Sequence, residues 1–167
     1  KECDWSSDVC SSDLTVIEIA DRIGYSKLPT DDAIELAKWF EDSSNSGSLV
    51  RYLETFAHTV AVMQTREGII QVARECVIDL AKDGVVYAEV RGAPELSTKQ
   101  GLTIDQVVDA TLEGYKQGMA EAASEGNKIK VKSLLCGMRQ SNRSMEAAKA
   151  VVKYRDRKSK RLNSSHI

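Results

Sequence analysis

The chain contains little histidine and no paired cysteine motif. Its 167 residues include two histidines, His58 and His166, and no HxH, HExxH or carboxylate–histidine cluster occurs. The usual spacings of metal ligands are therefore absent. The four cysteines form no CxxC pair, so the sequence supports neither a zinc ribbon nor a thioredoxin-type motif. We expect Cys76 and Cys136 to be buried free thiols.

Long apolar runs and an excess of charge of one sign are also missing. No apolar run approaches the roughly 18 residues of a membrane span, and the N-terminus lacks the pattern of a secretory signal. The formal net charge is −2, with acids and bases interspersed, so no basic patch predicts binding to nucleic acid or to an anionic membrane. Apolar residues at 42% and charged residues at 29% predict a globular cytoplasmic domain.

The glycine-rich and serine motifs of common enzymes are absent as well. The chain contains no GxGxxG, no GxxxxGK[ST] and no GxSxG. Nucleotide-phosphate binding loops and a hydrolase nucleophile elbow therefore have no support in the sequence.

The first half of the chain predicts helices. Apolar residues recur at helical spacing between Thr15 and Ile23. Thr30 is expected to cap a helix that begins DDAIELAKWF, because its two aspartates lie in the first turn, where the helix dipole favours them. Two further helices are expected at residues 49–63 and 66–82.

The second half alternates strands with helices. Runs rich in β-branched and apolar residues predict strands at 85–91 and 129–136. Between them, Thr103 and Gln106 form a capping-box pattern that opens a helix to about Glu125. Another helix is expected to begin with residues 145–152. Strand, helix, strand, helix predicts a parallel βαβ unit, and two strands alone cannot close a barrel, so we expect part of a larger α/β fold.

Both predicted strands end in arginine. The first closes Glu89-Val-Arg91, and the second is followed by Met138-Arg139. Ligands of parallel α/β folds bind beyond the C-terminal ends of the strands, so these residues could line a site. Alternatively, the arginines brace the rim by pairing with nearby carboxylates. Met138 suits a pocket wall, because methionine fills irregular apolar gaps.

An apolar stripe follows the third predicted helix. It consists of Leu49, Tyr52, Leu53 and Phe56. Such stripes usually pack into a core, but one that overhangs the strand ends could form the apolar lid of a small-molecule site. His58, on the same helix, is expected to be a partly exposed helix residue and not a metal ligand.

The segments GVVYAEVRGAPEL (84–96), LLCGMR (134–139) and SLVRYLETF (48–56) resemble the adenosine deaminase family. The resemblance implies a partial (β/α)8 TIM barrel with the lid helices and the second and third barrel strands. It implies that Leu49, Tyr52, Leu53 and Phe56 form the purine–ribose lid, that Met138 belongs to the pocket wall, and that Glu89, Arg91 and Arg139 are structural at the strand ends. It further implies a zinc enzyme that hydrolyses adenosine, a small purine nucleoside, to inosine and ammonia.

The family pattern is incomplete in this sequence. An HxHxDG motif, which would supply two zinc ligands, should stand just before Thr15, where the chain reads SSDVCSSDL. The family's other catalytic and metal residues would follow Arg155. We therefore expect no catalytic or metal-binding residue in this chain, no activity from the chain alone, and zinc only in a full-length parent. Alternatives are a deaminase of adenine or another purine, or a non-catalytic helical module whose stripe docks a partner helix.

The two ends differ in character from residues 15–155. Residues 11–14 can be encoded by TCT TCC GAT CTN, and residues 156–159 by GAT CGG AAG AGC, which belongs to the opposite strand of the same short oligonucleotide. We therefore expect residues 1–14 and 156–167 to be translated sequencing adapter, and residues 15–155 to be the deaminase segment. The other interpretation is a genuine serine-rich head and a basic tail.

Overall fold

Three parallel strands form one sheet in the order β1 (Glu2–Asp4), β2 (Tyr87–Gly92) and β3 (Lys130–Leu135). The computed structural model describes residues 2–4, 13–139 and 141–162. The sequence predictions that concern Cys10 and His166 lie outside the described residues, as do most of those for the two ends.

Helices connect and cover the strands. A short 3-10 turn, Pro94–Ser97, follows β2 directly. The α-helices of the described residues are α1 (Asp13–Ile23), α2 (Ala33–Ser44), α3 (Leu49–Val62), α4 (Arg66–Lys82), α5 (Ile104–Ser124) and α6 (Ser144–Leu162). The segment β2–α5–β3 is the predicted βαβ unit, with β2 and β3 paired in parallel. No helix of the described residues is long and apolar enough to cross a membrane.

The cap of α2 differs from the prediction. Asp32, and not Thr30, is the N-cap, and its carboxylate accepts hydrogen bonds of 2.9 Å from the backbone N–H groups of Ile34 and Glu35. Thr30 lies outside the helix and donates its hydroxyl to Glu35. The Asp32 carboxylate lies close enough to accept from two of the unpaired N–H donors of the first helical turn, whereas the Thr30 hydroxyl accepts only from the N–H of Asp32.

The capping box of α5 is confirmed. The Thr103 hydroxyl accepts from the backbone N–H of Gln106, and the Gln106 side chain accepts from the backbone N–H of Thr103. This reciprocal pair fixes where the crossover helix begins, and therefore how α5 lies over the sheet.

The sheet buries one face against α4 and α5. Ala88 and Val90 of β2, together with Val131 of β3, lie in one apolar cluster with residues of both helices. Cys76 is a buried thiol in this cluster, as expected, whereas Cys136, which is also in no disulfide, is only half-buried. A second cluster joins α1, α2, α3, α4 and the first half of α5. The core therefore holds the helices on one side of the sheet and leaves the other side open.

The strands differ from the prediction in their bounds and number. β2 begins at Tyr87, two residues late, because the N–H of Val85 donates to the carbonyl of Leu80 and still closes α4. The sequence predicted two strands and no first barrel strand, whereas the structure has β1 beside β2, with Glu2 opposite Glu89. Without β1, one edge of β2 would present unpaired backbone N–H and C=O groups, and a short extended segment such as β1 can bond to them.

Candidate functional site

The open face of the sheet carries polar side chains. Tyr87, Glu89 and Arg91 alternate with the buried Ala88 and Val90, so they share the face away from the helices. Their partners on β3 in register are Lys130, Lys132 and Leu134. Because the strands are parallel, their C-terminal ends meet at one edge of the sheet. Arg91 therefore lies next to the last residue of β2, close to the edge where barrel enzymes bind ligands, and Glu89 lies on the same face in the middle of the strand.

Glu89 has a partner on its own strand. Its carboxylate accepts a hydrogen bond from the Tyr87 hydroxyl, and this bond raises the pKa of Tyr87. The Nζ of Lys132 lies 5.7 Å from the centre of the Tyr87 ring. Glu89 is half-buried, whereas Arg91 and Arg139 are exposed. The structure thus places the carboxylate of Glu89 and the side chain of Arg91 on the same face of β2, two residues apart.

The stripe on α3 divides into two halves. Leu49 and Leu53 are 70% and 53% exposed. Tyr52 and Phe56 are half-buried and meet edge to face, with ring centres 5.1 Å apart. The stripe is therefore not fully buried in the core of the described chain. Its two leucines are exposed and could contact a ligand or another protein segment.

His58 contacts α2 and the loop between α1 and α2. Its Nδ1 lies 3.0 Å from the Tyr25 hydroxyl, and its ring meets Trp39 of α2 at 5.3 Å between centres. Burial lowers the pKa of His58, and the nearby Glu54 carboxylate partly offsets this effect. His58 is thus a partly exposed helix residue with a structural partner, as predicted.

Met138 lies in the loop after β3 and is held by a residue that the sequence patterns did not reveal. Its backbone N–H donates to the carboxylate of Glu95, which also accepts from the Ser141 hydroxyl at 2.8 Å. Glu95 is only 8% exposed. The sequence carries no signal for this role, because a glutamate is usually exposed unless it is paired, and the partners of Glu95 lie far along the chain.

Gln64 is the second residue that the patterns missed. It lies between α3 and α4, is 4% exposed, and uses its whole amide group. Its Nε2 donates to the carbonyls of Val60 (2.7 Å) and Leu96 (3.0 Å), and its Oε1 accepts from the N–H of Lys99 (2.9 Å). Gln64 therefore joins the end of α3 to the 3-10 turn.

Zinc is the metal that the resemblance implies, but the described residues do not fit it. Within residues 2–4, 13–139 and 141–162, no group of three or more His, Cys, Asp or Glu side chains could hold a metal ion. His58 is engaged by Tyr25 and Trp39. The described part of the chain thus accounts for no step at a metal.

Comparison with known proteins supports a family relationship. The sequence model of the family described as adenosine deaminase matches residues 12–162. The adenosine deaminase of Mycobacteroides abscessus is 54% identical over 143 residues, which are 86% of this chain and 40% of that protein. The chain thus spans about two fifths of the length of this curated relative.

Solved structures share the fold. The Arabidopsis N6-mAMP deaminase superposes with a TM-score of 0.68 at 22% identity, over 93% of this chain and 46% of that one. A related Arabidopsis structure, in complex with GMP, has the same TM-score at 23% identity and covers 93% of this chain and 45% of that one. The described chain is therefore part of a TIM barrel, as the family resemblance implied.

Proposed function

The chain belongs to the adenosine deaminase family, and we propose that it is part of a longer enzyme that converts adenosine or deoxyadenosine to the corresponding inosine. The observation that carries the proposal is the family match over residues 12–162, together with 54% identity to a curated relative. The reaction takes up one water and releases one ammonia, so the amino group at C6 of the purine is replaced by oxygen.

We assign the lid of the nucleoside site to α3. Leu49 and Leu53 expose apolar surface, and Tyr52 with Phe56 forms a rigid aromatic pair beside them. Such a surface gains free energy by covering the base and ribose, because apolar area is then removed from water. The GMP bound to the Arabidopsis relative supports a purine as the ligand class.

Met138 is proposed as a wall of the same pocket. Its loop follows β3 at the C-terminal edge of the sheet, and its backbone is fixed by Glu95. Glu89, Arg91 and Arg139 are proposed to brace the strand ends. A braced rim keeps the wall and the lid at a fixed separation, which a site of defined size requires.

Zinc, the groups that move protons, and their supporting residues are proposed to come from the rest of the longer protein. Zinc, if held by the longer protein, would supply the activation of a water molecule near neutral pH. The described residues do not form a zinc site, so we propose that the 167-residue chain is inactive by itself. We also propose a cytoplasmic location for the longer enzyme.

We further propose that residues 15–155 are the deaminase segment and that residues 1–14 and 156–167 were translated from sequencing adapter. The codon argument supports this proposal. The helices α1 and α6 and the family match pass these boundaries by a few residues, because α1 begins at Asp13, α6 ends at Leu162 and the match covers 12–162. Determination of the DNA sequence at both junctions tests it.

Two other functions are distinguished by specific observations. The Arabidopsis N6-mAMP deaminase shares the fold, which favours other substituted purines as the second candidate substrate class. The exposure of Leu49 and Leu53 would also suit a non-catalytic module that docks a partner helix. A deaminase of either substrate class requires that the complete protein turns over a purine, whereas a docking module does not.

The test is an assay of the complete reading frame beside the 167-residue chain. Loss of absorbance at the adenosine maximum is measured with adenosine, adenine and N6-methyl-AMP, with and without added zinc. We expect the complete protein to convert adenosine and the short chain to convert none of the three. A preference for adenine or N6-methyl-AMP would show that adenosine is not the main substrate. Turnover by the 167-residue chain would contradict the proposal that the catalytic residues lie in the rest of the longer protein.

A further inference from the structure

The 3-10 turn Pro94–Ser97 touches both halves of the proposed pocket. Gln64 attaches it to the lid helix α3, because the side-chain amide bonds to Val60 of α3 and to Leu96 of the turn. Glu95 attaches it to the loop after β3, because its carboxylate binds the N–H of Met138. We propose that Gln64 and Glu95 are positioning residues that set the lid helix relative to the Met138 wall through this turn.

The Gln64 arm is well defined because every polar atom of the amide is used. Two carbonyls accept from Nε2 and one backbone N–H donates to Oε1, at distances between 2.7 and 3.0 Å. At 4% exposure, water cannot easily replace any of these bonds. Loss of the amide would leave buried backbone groups without partners, which costs more than an exposed hydrogen bond would.

The Glu95 arm carries charge. Its two carboxylate oxygens bind Met138 N–H and the Ser141 hydroxyl, and the Ser141 Oγ accepts in turn from the N–H of Arg143. Arg143 reaches back to Thr98, just after the turn, at 2.8 Å. Hydrogen bonds to an ionised acceptor are stronger than those between neutral groups, so this loop is tied to the turn at both ends.

The two arms share one short element. Glu95 and Leu96 are neighbours in a single 3-10 turn of four residues, and Thr98 donates back to the carbonyl of Glu95 at 2.9 Å. The residues that carry the two attachments, Glu95 and Leu96, are adjacent in the chain, so no other residue separates the two arms. We therefore expect a displacement of the C-terminal end of the lid helix α3, which carries Val60, to reach Met138 through the turn. The inference rests on the proposed function only for the roles of lid and wall.

The test uses amide hydrogen exchange on the isotope-labelled 167-residue chain, followed residue by residue by NMR. In Gln64→Met, which keeps the length of the side chain, we expect the Lys99 amide to exchange about tenfold faster. We also expect faster exchange at Met138, on the other arm. Gln64→Glu keeps an acceptor for Lys99 but has no donor for the carbonyls of Val60 and Leu96, so the Met138 amide should exchange as fast as in Gln64→Met. Gln117→Met, on an exposed face of α5, should change neither amide.

The reciprocal variant is Glu95→Gln, which keeps the shape and removes the charge. It should speed exchange at Met138 directly and at Lys99 through the turn. The amides of the buried Ala73 and Val77 report global opening of the chain. If Gln64→Met raises the exchange rates of these two amides as much as those of Lys99 and Met138, the variant has lost global stability, and Glu95→Gln then decides the test. Effects confined to one arm in both variants would overturn the inference. So would a parent chain in which Lys99 and Met138 exchange as in an unfolded peptide.

No substrate enters these measurements. If the complete protein proves not to be a deaminase, the coupling between Lys99 and Met138 can still be observed. If the coupling fails while the complete protein turns over adenosine, the family function stands and only the role of Gln64 and Glu95 falls.

Discussion

Gly114 of α5 lies directly against the carbonyl oxygen of Ile70 on α4. A Cβ at Gly114 would come within 2.5 Å of that oxygen and within 2.6 Å of the Ala73 side chain. Gly118, one turn later, would place a Cβ 2.5 Å from the carbonyl of Arg74. The two helices that cover the sheet therefore approach each other along a line where only glycine fits.

Gly114→Ala should accordingly destabilise the chain. Ala favours a helix over Gly by up to about 1 kcal/mol, but the enforced separation of α4 and α5 costs typically ~1–3 kcal/mol. We expect a net loss in the free energy of unfolding, measured by urea denaturation followed by circular dichroism. Gln117→Ala, on the exposed side of the same helix, is the control. A Gly114→Ala chain as stable as this control would refute the close packing.

The cap of α2 gives a second prediction. Asp32→Ala should lower the free energy of unfolding by about 1 kcal/mol, because two backbone N–H groups lose their acceptor. Thr30→Ala is the matched control and should cost less, since Thr30 bonds to no helical N–H beyond the cap. The free energy of unfolding is again measured by urea denaturation. Equal losses in the two variants would show that Thr30 contributes as much as Asp32 to capping α2.

The third prediction concerns pH. Burial lowers the pKa of His58 in the folded chain, so the unfolded chain binds more protons in the range between the two pKa values, and stability must rise with pH there. Stability due to neutral His58 should therefore be complete above the unfolded pKa, about 6.5, and should be lost as the pH falls through the lower folded pKa.

The measurement is the free energy of unfolding from pH 8 to pH 5 for the parent chain and for His58→Gln. The parent should lose stability more steeply below about pH 6.5, and the variant should lack that component. His166 is present in both chains and cancels in the comparison. Parallel curves would show that His58 is not desolvated by the contacts with Tyr25 and Trp39.

The lid assignment predicts an asymmetry between neighbouring residues of α3. In the complete enzyme, Leu53→Ser should raise KM for adenosine about tenfold, since covering a leucine contributes roughly 1.5–3 kcal/mol. Val50→Ser is the matched control, because Val50 is 67% exposed on the same helix but lies off the stripe. Similar KM values for the two variants would remove Leu53 from the lid.

Much of this fold could be predicted from the sequence because its signals are local. The capping box of Thr103 and Gln106 placed α5 correctly, and α4 has the predicted bounds, Arg66–Lys82. Asp32 and Thr30 show the limit of such reasoning, since both residue types cap helices and only the geometry of the preceding turn selects one.

Long-range contacts were not predictable in the same way. Gln64 bonds to residues 32 and 35 positions away, and Glu95 to residues 43 and 46 positions away. No spacing rule covers such separations, because they depend on how α3 and β3 lie after folding. β1 is similar, since its pairing with β2 depends on an exposed edge and not on its own sequence pattern.

The most direct test of the central claim is to sequence the source DNA across the Leu14–Thr15 and Arg155–Asp156 junctions with independent primers. If this chain is part of an adenosine deaminase, the upstream frame should encode HxHxDG immediately before Thr15, and the downstream frame should supply further histidines and aspartates. If SSDVCSSDL and DRKSKRLNSSHI persist in the source DNA, the enzymatic account is contradicted, and a non-catalytic relative of the family takes its place.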